Sequence, residues 1–200
     1  MTKRHILGIM LALLLTVCLH KPIMGATPES SVQGTTTKIM DILADPSLMP
    51  PEMAGERKRR IREAVNERFD WQEMSRRALG RHWRKRTKQE KEAFTALFAK
   101  LLEGAYMQKV ANYSGEKVSY EDERVDGDYG AVTAKVLTNK NEEISVEYRV
   151  KKKTDNWLVY DISIEGVSLV NNYRTQFNNI LRKSSFSELM KRLDEKVAQK

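Results

Sequence analysis

The chain has 200 residues, with 35 Lys and Arg against 27 Asp and Glu, a formal charge of +8, one cysteine and three histidines. So few soft ligands exclude a disulfide scaffold and, in practice, zinc held by its usual side chains. The basic balance suits an anionic partner: nucleic acid, a lipid surface or an acidic protein.

Lys3 and Arg4 precede an apolar run from Ile6 to Leu19, which Lys21-Pro22 breaks before the small pair Gly25-Ala26. The pattern reads as a secretory signal peptide over residues 1–25. The run is shorter than the roughly 20 apolar residues of a comfortable membrane span, and a retained anchor is the competing reading. Leu15-Thr16-Val17-Cys18 resembles the lipobox before a lipidated cysteine, but Val17 is bulkier than the small residue such a box needs. Lipid anchoring at Cys18 is therefore disfavoured. Cleavage after Gly25 removes Lys3, Arg4 and Lys21 and no acid, so the charge falls from +8 to +5. The remaining 175 residues suffice for one domain with a sizeable core. Export makes nucleic acid the least suited of the anionic partners.

Residues 26–36, rich in Thr, Ser, Gly and Pro, read as a flexible leader, and 37–200 as a single domain. Thr37 to Ala44 should end a first helix before Asp45-Pro46, and Met49-Pro50-Pro51 should interrupt it. Ile61, Val65 and Phe69 mark a second helix at four-residue intervals. A short third helix should stop at Leu79-Gly80. Thr87 and Glu90 form a capping-box pattern that opens a long helix to about Val110. Its stripe of Phe94, Leu97, Phe98, Leu101, Leu102 and Ala105 follows helical periodicity.

Four strands follow, at Lys117–Arg124, Ala131–Thr138, Glu143–Lys152 and Trp157–Ile164, separated by turn-rich segments such as Asp126-Gly127-Asp128. Glu143, Ser145, Glu147, Arg149 and Lys151 form a wet face on the third strand, so helices must cover the other side, the long helix foremost. The fourth strand is apolar on both sides, with Trp157, Val159 and Asp161 sharing one of them. Glu165 to Ser168 turns the chain into a helix, and Ser187 should cap a last one. The order is α+β: a curved antiparallel sheet of about four strands packed against helices.

Catalytic residues are scarce. Beyond residue 25 the only histidine is His82, set among Arg81, Trp83 and Arg84, with no orienting carboxylate beside it in the sequence. No phosphate-cradling glycine loop occurs. Glu123, Asp126 and Asp128 could be imagined around a hard cation, but a solvated hairpin turn explains them better. Arg76, Arg77, Arg81, Arg84, Lys85, Arg86 and Lys88 run without an acid between them. They are candidates for docking an anionic partner, against the plain alternative of a solvated face. An isomerase or dehydratase reading would need a pocket-facing acid, with Asp161 or Glu147 to supply it.

Two ordered segments resemble a known family. The first is Phe69-Asp70-Trp71-Gln72-Glu73-Met74-Ser75-Arg76-Arg77-Ala78-Leu79-Gly80, continued by His82-Trp83-Arg84, then Phe94, Phe98, Leu101-Leu102 and Tyr106. The second is Trp157-Leu158-Val159-Tyr160-Asp161-Ile162, then Glu165-Gly166-Val167-Ser168-Leu169, Asn172-Tyr173-Arg174 and Phe177. Together they resemble the MlaC-type periplasmic phospholipid carriers, also called the toluene-tolerance auxiliary family, over roughly Thr37 to Leu193.

The resemblance implies a cone-like, nuclear-transport-factor-like fold with a lipid cavity. It implies a periplasmic, non-enzymatic monomer whose only bound molecule is its phospholipid cargo. The implied partners are an inner-membrane ABC transporter with an MCE-domain subunit and an outer-membrane lipoprotein–porin complex. Phe94, Phe98, Leu101, Leu102 and Tyr106 become candidate acyl-contacting walls from the long helix. Val132, Val136, Ile144, Val146 and Tyr148 are the candidates from the sheet, with Val167 at the mouth. Glu165 joins the basic stretch as a docking candidate. A hopanoid or other lipid binder of the same superfamily is the alternative. The expected cavity lies near the upper end of the usual range, about 1,000 Å³.

Overall fold

The computed structural model describes residues 26–111 and 115–199, with the side chains of 105–111 outside the description. The signal-peptide reading of residues 1–25 and the side chain of Tyr106 thus lie outside the described residues. Helix α1 spans Pro28–Ala44, α2 Ala54–Arg68, α3 Trp71–Leu79 and α4 Lys88–Ala111. Strands β1 (Lys117–Asp126), β2 (Tyr129–Leu137), β3 (Glu143–Lys153) and β4 (Asn156–Ile164) form a meander. A two-residue β5, Val167–Ser168, adds a fifth strand beyond β4 before α5 (Leu169–Leu181) and α6 (Phe186–Ala198).

The segment expected to be a leader is helical. Thr27 and Ser30 form a reciprocal capping box, and Pro28 occupies the first helical position, where its missing N–H costs nothing. Pro28, Ser31 and Val32 are buried, so packing outweighs the weak helix propensity of Ser, Thr and Gly. Asp45 caps the following 3-10 turn through the Ser47 amide, 2.9 Å away. The Thr87–Glu90 box of α4 forms as read, with bonds of 2.8 and 3.1 Å. Helix α6 instead starts two residues earlier than expected. Ser185, not Ser187, accepts from the Glu188 amide at 3.2 Å, which lets Phe186 pack 6.3 Å from Phe94.

Two apolar cores form. The larger joins α3, α4, α5 and α6 through Met74, Leu79, Phe94, Phe98, Leu101, Phe177, Leu189 and Leu193. Phe94, Phe98 and Phe177 make a triangle with ring centroids 5.5–5.7 Å apart, two pairs of it edge to face. The smaller core, Val32, Val132, Val150, Trp157 and Val159, glues α1 to the sheet.

The long helix is therefore not the cover of the sheet. It packs chiefly on α3 and α6, while α1 and α2 cover the inner face. The sequence periodicity fixes which side of α4 is apolar, but not which neighbour receives it.

Two β-bulges shape the sheet. On β1 the register skips Glu121, and on β4 it skips Tyr160. Each inserted residue moves the alternation to the other face and increases the local bend. Asp161 therefore faces away from Val159, contrary to the regular alternation expected for this strand.

Phe98 lies at the centre of the ring cluster and is fully buried. Phe98→Ala should lower unfolding free energy by about 3–5 kcal/mol, measured as a reduced urea midpoint with an unchanged slope.

Candidate functional site

A cavity of about 470 Å³ lies between the inner face of the sheet and helices α1 and α2. Cross-strand rows build its sheet wall. Val118, Val136 and Ile144 form one, paired Val146 and Ile164 the next, and paired Tyr148 and Ile162 the third. Helix α1 supplies Ile39, Met40 and Leu43 at spacings that repeat on one face, and α2 supplies Ile61 and Val65. Phe69, Val159 and Val32 close the deep end against the smaller core.

The bulge on β4 makes this wall continuous. Had the strand alternated regularly through Tyr160, Ile162 and Ile164 would point to the face opposite Val159. All three instead line the cavity.

The Phe69-Asp70-Trp71 junction explains how α2 and α3 are fixed at its deep end. The Asp70 amide donates to the Val159 carbonyl at 2.9 Å, joining the junction to the free edge of β4. Asp70 Oδ1 then accepts from the Glu73 amide and caps α3. Phe69 stacks on Trp71 at 5.1 Å, and Trp71 Nε1 donates to Asn66. Arg68 stitches three elements, donating to the Thr35 hydroxyl at 3.0 Å and the Trp157 carbonyl at 2.7 Å. Burial pushes its guanidinium pKa down, since the charge has given up water for neutral oxygens.

Polarity collects at the opposite end. Arg62, Glu103, Glu116 and Thr138 line the cavity where β1 begins and β2 ends. Arg62 on α2 and Glu103 on α4 form an ion pair of 2.6 Å across this end. The deep interior is aliphatic and aromatic, with the Tyr148 phenol on its wall. Burial pushes Tyr148 up to about 12, and the neighbouring Tyr120 adds to this. The accessible surface that Tyr148 keeps belongs to the cavity, so its hydroxyl gains little from bulk water. Burial raises Tyr120 too, with the Thr36 hydroxyl offsetting part of it.

The residues expected from sequence divide sharply. Leu102, Val136, Ile144, Val146 and Tyr148 line the cavity. Phe94, Phe98 and Leu101 do not: they fill the helical core, because α4 faces α3 and α6 there. Val132 sits in the smaller core beneath the cavity floor. Val167, 56% exposed, belongs to a groove on the other side of β4 rather than to the cavity mouth.

Sequence reading placed Ile39, Met40 and Leu43 on a first helix but did not assign them to a cavity wall, and read the preceding residues 26–36 as a leader. The signal was present in the Ile39, Met40, Leu43 spacing. The cavity is also about half the volume expected.

The basic stretch is less free than its sequence suggests. Arg76 and Arg77 share the Glu73 carboxylate at 2.6 and 2.8 Å. Burial opposes ionisation of Glu73, but the two guanidiniums outweigh it and hold the pKa below the usual range. Arg86 pairs with Glu90 at 3.2 Å, and Lys88 approaches Glu92 at 4.0 Å. Arg81, Arg84 and Lys85 have no acid within ion-pair distance among the described residues. Glu165 is bent back, its carboxylate accepting from the Ser145 amide.

Neither candidate catalytic acid lines the cavity. Asp161 is buried on the outer face and accepts from Ser168 Oγ at 2.6 Å and the Val170 amide at 3.0 Å, which anchors the start of α5. Glu147 pairs with Arg149 at 2.8 Å and Arg124 at 3.5 Å. Among the described residues, no three His, Cys, Asp or Glu side chains gather to hold a metal, and no helix is long and apolar enough to cross a membrane.

The family model described as "MlaC protein" matches residues 33–195, the span that holds the sheet, the cavity and most of the helical layer. The chain belongs to the MlaC family. A curated relative, the intermembrane phospholipid transport system binding protein MlaC of Haemophilus influenzae (strain ATCC 51907 / DSM 11121 / KW20 / Rd), is 25% identical over 126 residues. That match covers 60% of this chain and 59% of the relative, so it spans about three fifths of each. A solved phospholipid-binding protein from Ralstonia solanacearum, in complex with a phospholipid, superposes with a TM-score of 0.75 at 28% identity. It covers 87% of this chain and 98% of that one.

The Tyr148 phenol should ionise near pH 12 in an ultraviolet titration of the native protein. Its folded pKa is raised from 10.0, so the stability linked to the neutral phenol is complete below pH 10. That stability should fall as pH rises towards 12. Tyr148→Phe should flatten the fall.

Proposed function

We propose that this protein is a periplasmic phospholipid carrier. It takes a glycerophospholipid from one membrane complex and yields it to another, and so helps maintain outer-membrane lipid asymmetry. The observation that carries this reading is the apolar cavity between α1, α2 and the sheet, oily within and polar at one end. The family membership and the phospholipid held by the Ralstonia relative support it.

The physical need for a carrier is large. A diacyl lipid exposes about 30 methylenes, and at about 0.8 kcal/mol each, immersing them in water costs on the order of 20 kcal/mol. A carrier must match that burial yet release its cargo to another apolar site. Acyl chains fit against Val136, Ile144, Val146 and Tyr148 on one side and Ile39, Met40 and Leu43 on the other. The head group stays at the end marked by Arg62, Glu103 and Glu116, where water and charge are available.

A volume of 470 Å³ lies in the usual range for ligand pockets, about 300–1,000 Å³, but below what two full tails require. The α1–α2 layer therefore swings outward to admit the second tail. That movement leaves the ring cluster of α4 and α5 undisturbed, since neither α1 nor α2 contributes a buried residue to the larger core.

Mass spectrometry of an organic extract of protein purified without detergent tests the reading. Near-stoichiometric two-chain phospholipid is expected. A polycyclic lipid, or an empty extract, overturns it. Val136→Glu places a carboxylate on the acyl path at a half-buried position and should reduce bound lipid at least about tenfold, by the cost of desolvating a charge. Val125→Glu, on the exposed end of β1, should leave lipid content unchanged.

A further inference from the structure

Beyond β4, on the face of the sheet opposite the cavity, α3, α5 and β3 enclose a groove of about 1210 Å³. Six guanidiniums line it: Arg76 and Arg77 from α3, Arg81 and Arg84 from the 3-10 segment Gly80–Lys85, Arg149 from β3 and Arg174 from α5. Three carboxylates are at hand, and all are committed. Glu73 holds Arg76 and Arg77, Glu147 holds Arg149, and Asp161 accepts from Ser168 and Val170. Arg81 donates only a long bond of 3.3 Å to Asn178. Among the described residues, no acid lies within ion-pair distance of Arg81, Arg84 or Arg174.

These charges come together through the fold. Arg174 lies against Gly80, where a Cβ would meet its Nε at 3.1 Å, and Gly80 also has a positive φ of 51°. Any larger residue there would push Arg174 away and strain the stop of α3. The Leu79-Gly80 end of α3 and the Asn172-Tyr173-Arg174 segment of α5, 94 positions apart, thus place their cations on one trough. Arg77 is held over the Tyr160 ring at 3.9 Å, on the outer face to which the β4 bulge also turns Asp161. Exposed Val167 stands at the rim.

We propose that this trough docks an acidic segment of a partner protein, its carboxylates taking the free guanidinium edges of Arg81, Arg84 and Arg174 while an apolar side chain meets Val167. Guanidinium forks match carboxylates in paired hydrogen bonds, which gives orientation as well as attraction. The cargo's own phosphate is not the occupant, because β4 stands between the trough and the cavity that holds the tails. A flat membrane surface fits poorly, because the guanidiniums line a depression rather than a raised face. The first amides of α5 are already taken by Asp161 and Ser168, so the attraction comes from the arginines rather than from the helix end. The inference deepens the carrier reading, since a shuttle must dock to exchange its cargo.

Fluorescence anisotropy of a labelled twelve-residue peptide, alternating glutamate and serine around one central valine, tests the proposal on the purified protein. Saturable binding that weakens with added salt is expected. Arg81→Glu with Arg84→Glu should weaken it at least about tenfold. Lys85→Glu with Lys88→Glu changes the net charge equally at exposed positions outside the trough, and should leave binding within about twofold. No saturable binding, or equal losses in the two double variants, overturns the proposal. So does tighter binding to phosphatidylglycerol-containing vesicles that the trough variant abolishes. Lipid content of the R81E/R84E protein is measured alongside. Retained phospholipid with lost peptide binding sinks neither idea, whereas an empty wild-type extract with intact peptide binding removes the carrier reading and leaves the trough.

Discussion

The structure depends on how α1 is held against the sheet at one end and away from it at the other. At the closed end, Trp157 packs with Val32 and Val150, and its indole N–H donates to the Ala26 carbonyl at 2.8 Å. Glu123, turned inward by the β1 bulge, accepts from the Glu29 amide at 2.7 Å at the helix N-terminus, where a carboxylate is also favoured by the dipole. Gly130 completes the seat. A Cβ there would come within 3.0 Å of Pro28 and 3.2 Å of Val150, so a side chain would lift the helix. From this fixed end the sheet bends away, and the space between strand rows and helix becomes the cavity.

That arrangement separates stability from function. Burying the aromatic triangle of α4 and α5 needs nothing from the cavity, and the cavity walls on α1 and α2 add little to the larger core. An opening α1–α2 layer costs the smaller apolar contacts, Arg68's bond to the Trp157 carbonyl and the Arg62–Glu103 pair, but no part of the ring cluster. Elements of low local stability are where binding motions belong. A carrier that had to break its main core to load cargo would spend its few kcal/mol of stability on every cycle.

Much of this was legible in the sequence, and the exceptions share physical causes. The four long strands and the α4 capping box could be read because alternation and end-capping are local signals. The first half of helix α1 could not be read by composition: Ser31, Thr35 and Thr36 resemble a linker until Val32 is seen packed on the sheet. Its Thr27–Ser30 capping box and Pro28 were the available clue. The bulges at Glu121 and Tyr160 left no clear mark, and without them Asp161 was assigned to the wrong face. Phe94 and Phe98 show the deeper difficulty. A stripe of large apolar residues states that a face is dry, and says nothing of whether its neighbour is protein or cargo.

The Tyr160 bulge also explains how one strand serves two surfaces of opposite chemistry. On either side of it, Val159, Ile162 and Ile164 face the cavity, while Tyr160 and Asp161 face the trough. Asp161 anchors α5, α5 carries Arg174, and Arg174 meets the stop of α3 at Gly80. The same α3 is tied to the cavity's deep end through Phe69 and the Asp70–Val159 bond. The trough and the cavity are thus separated by a single strand's thickness. If the trough docks a partner and the cavity carries lipid as proposed, that shared junction would be the element common to docking and lipid exchange.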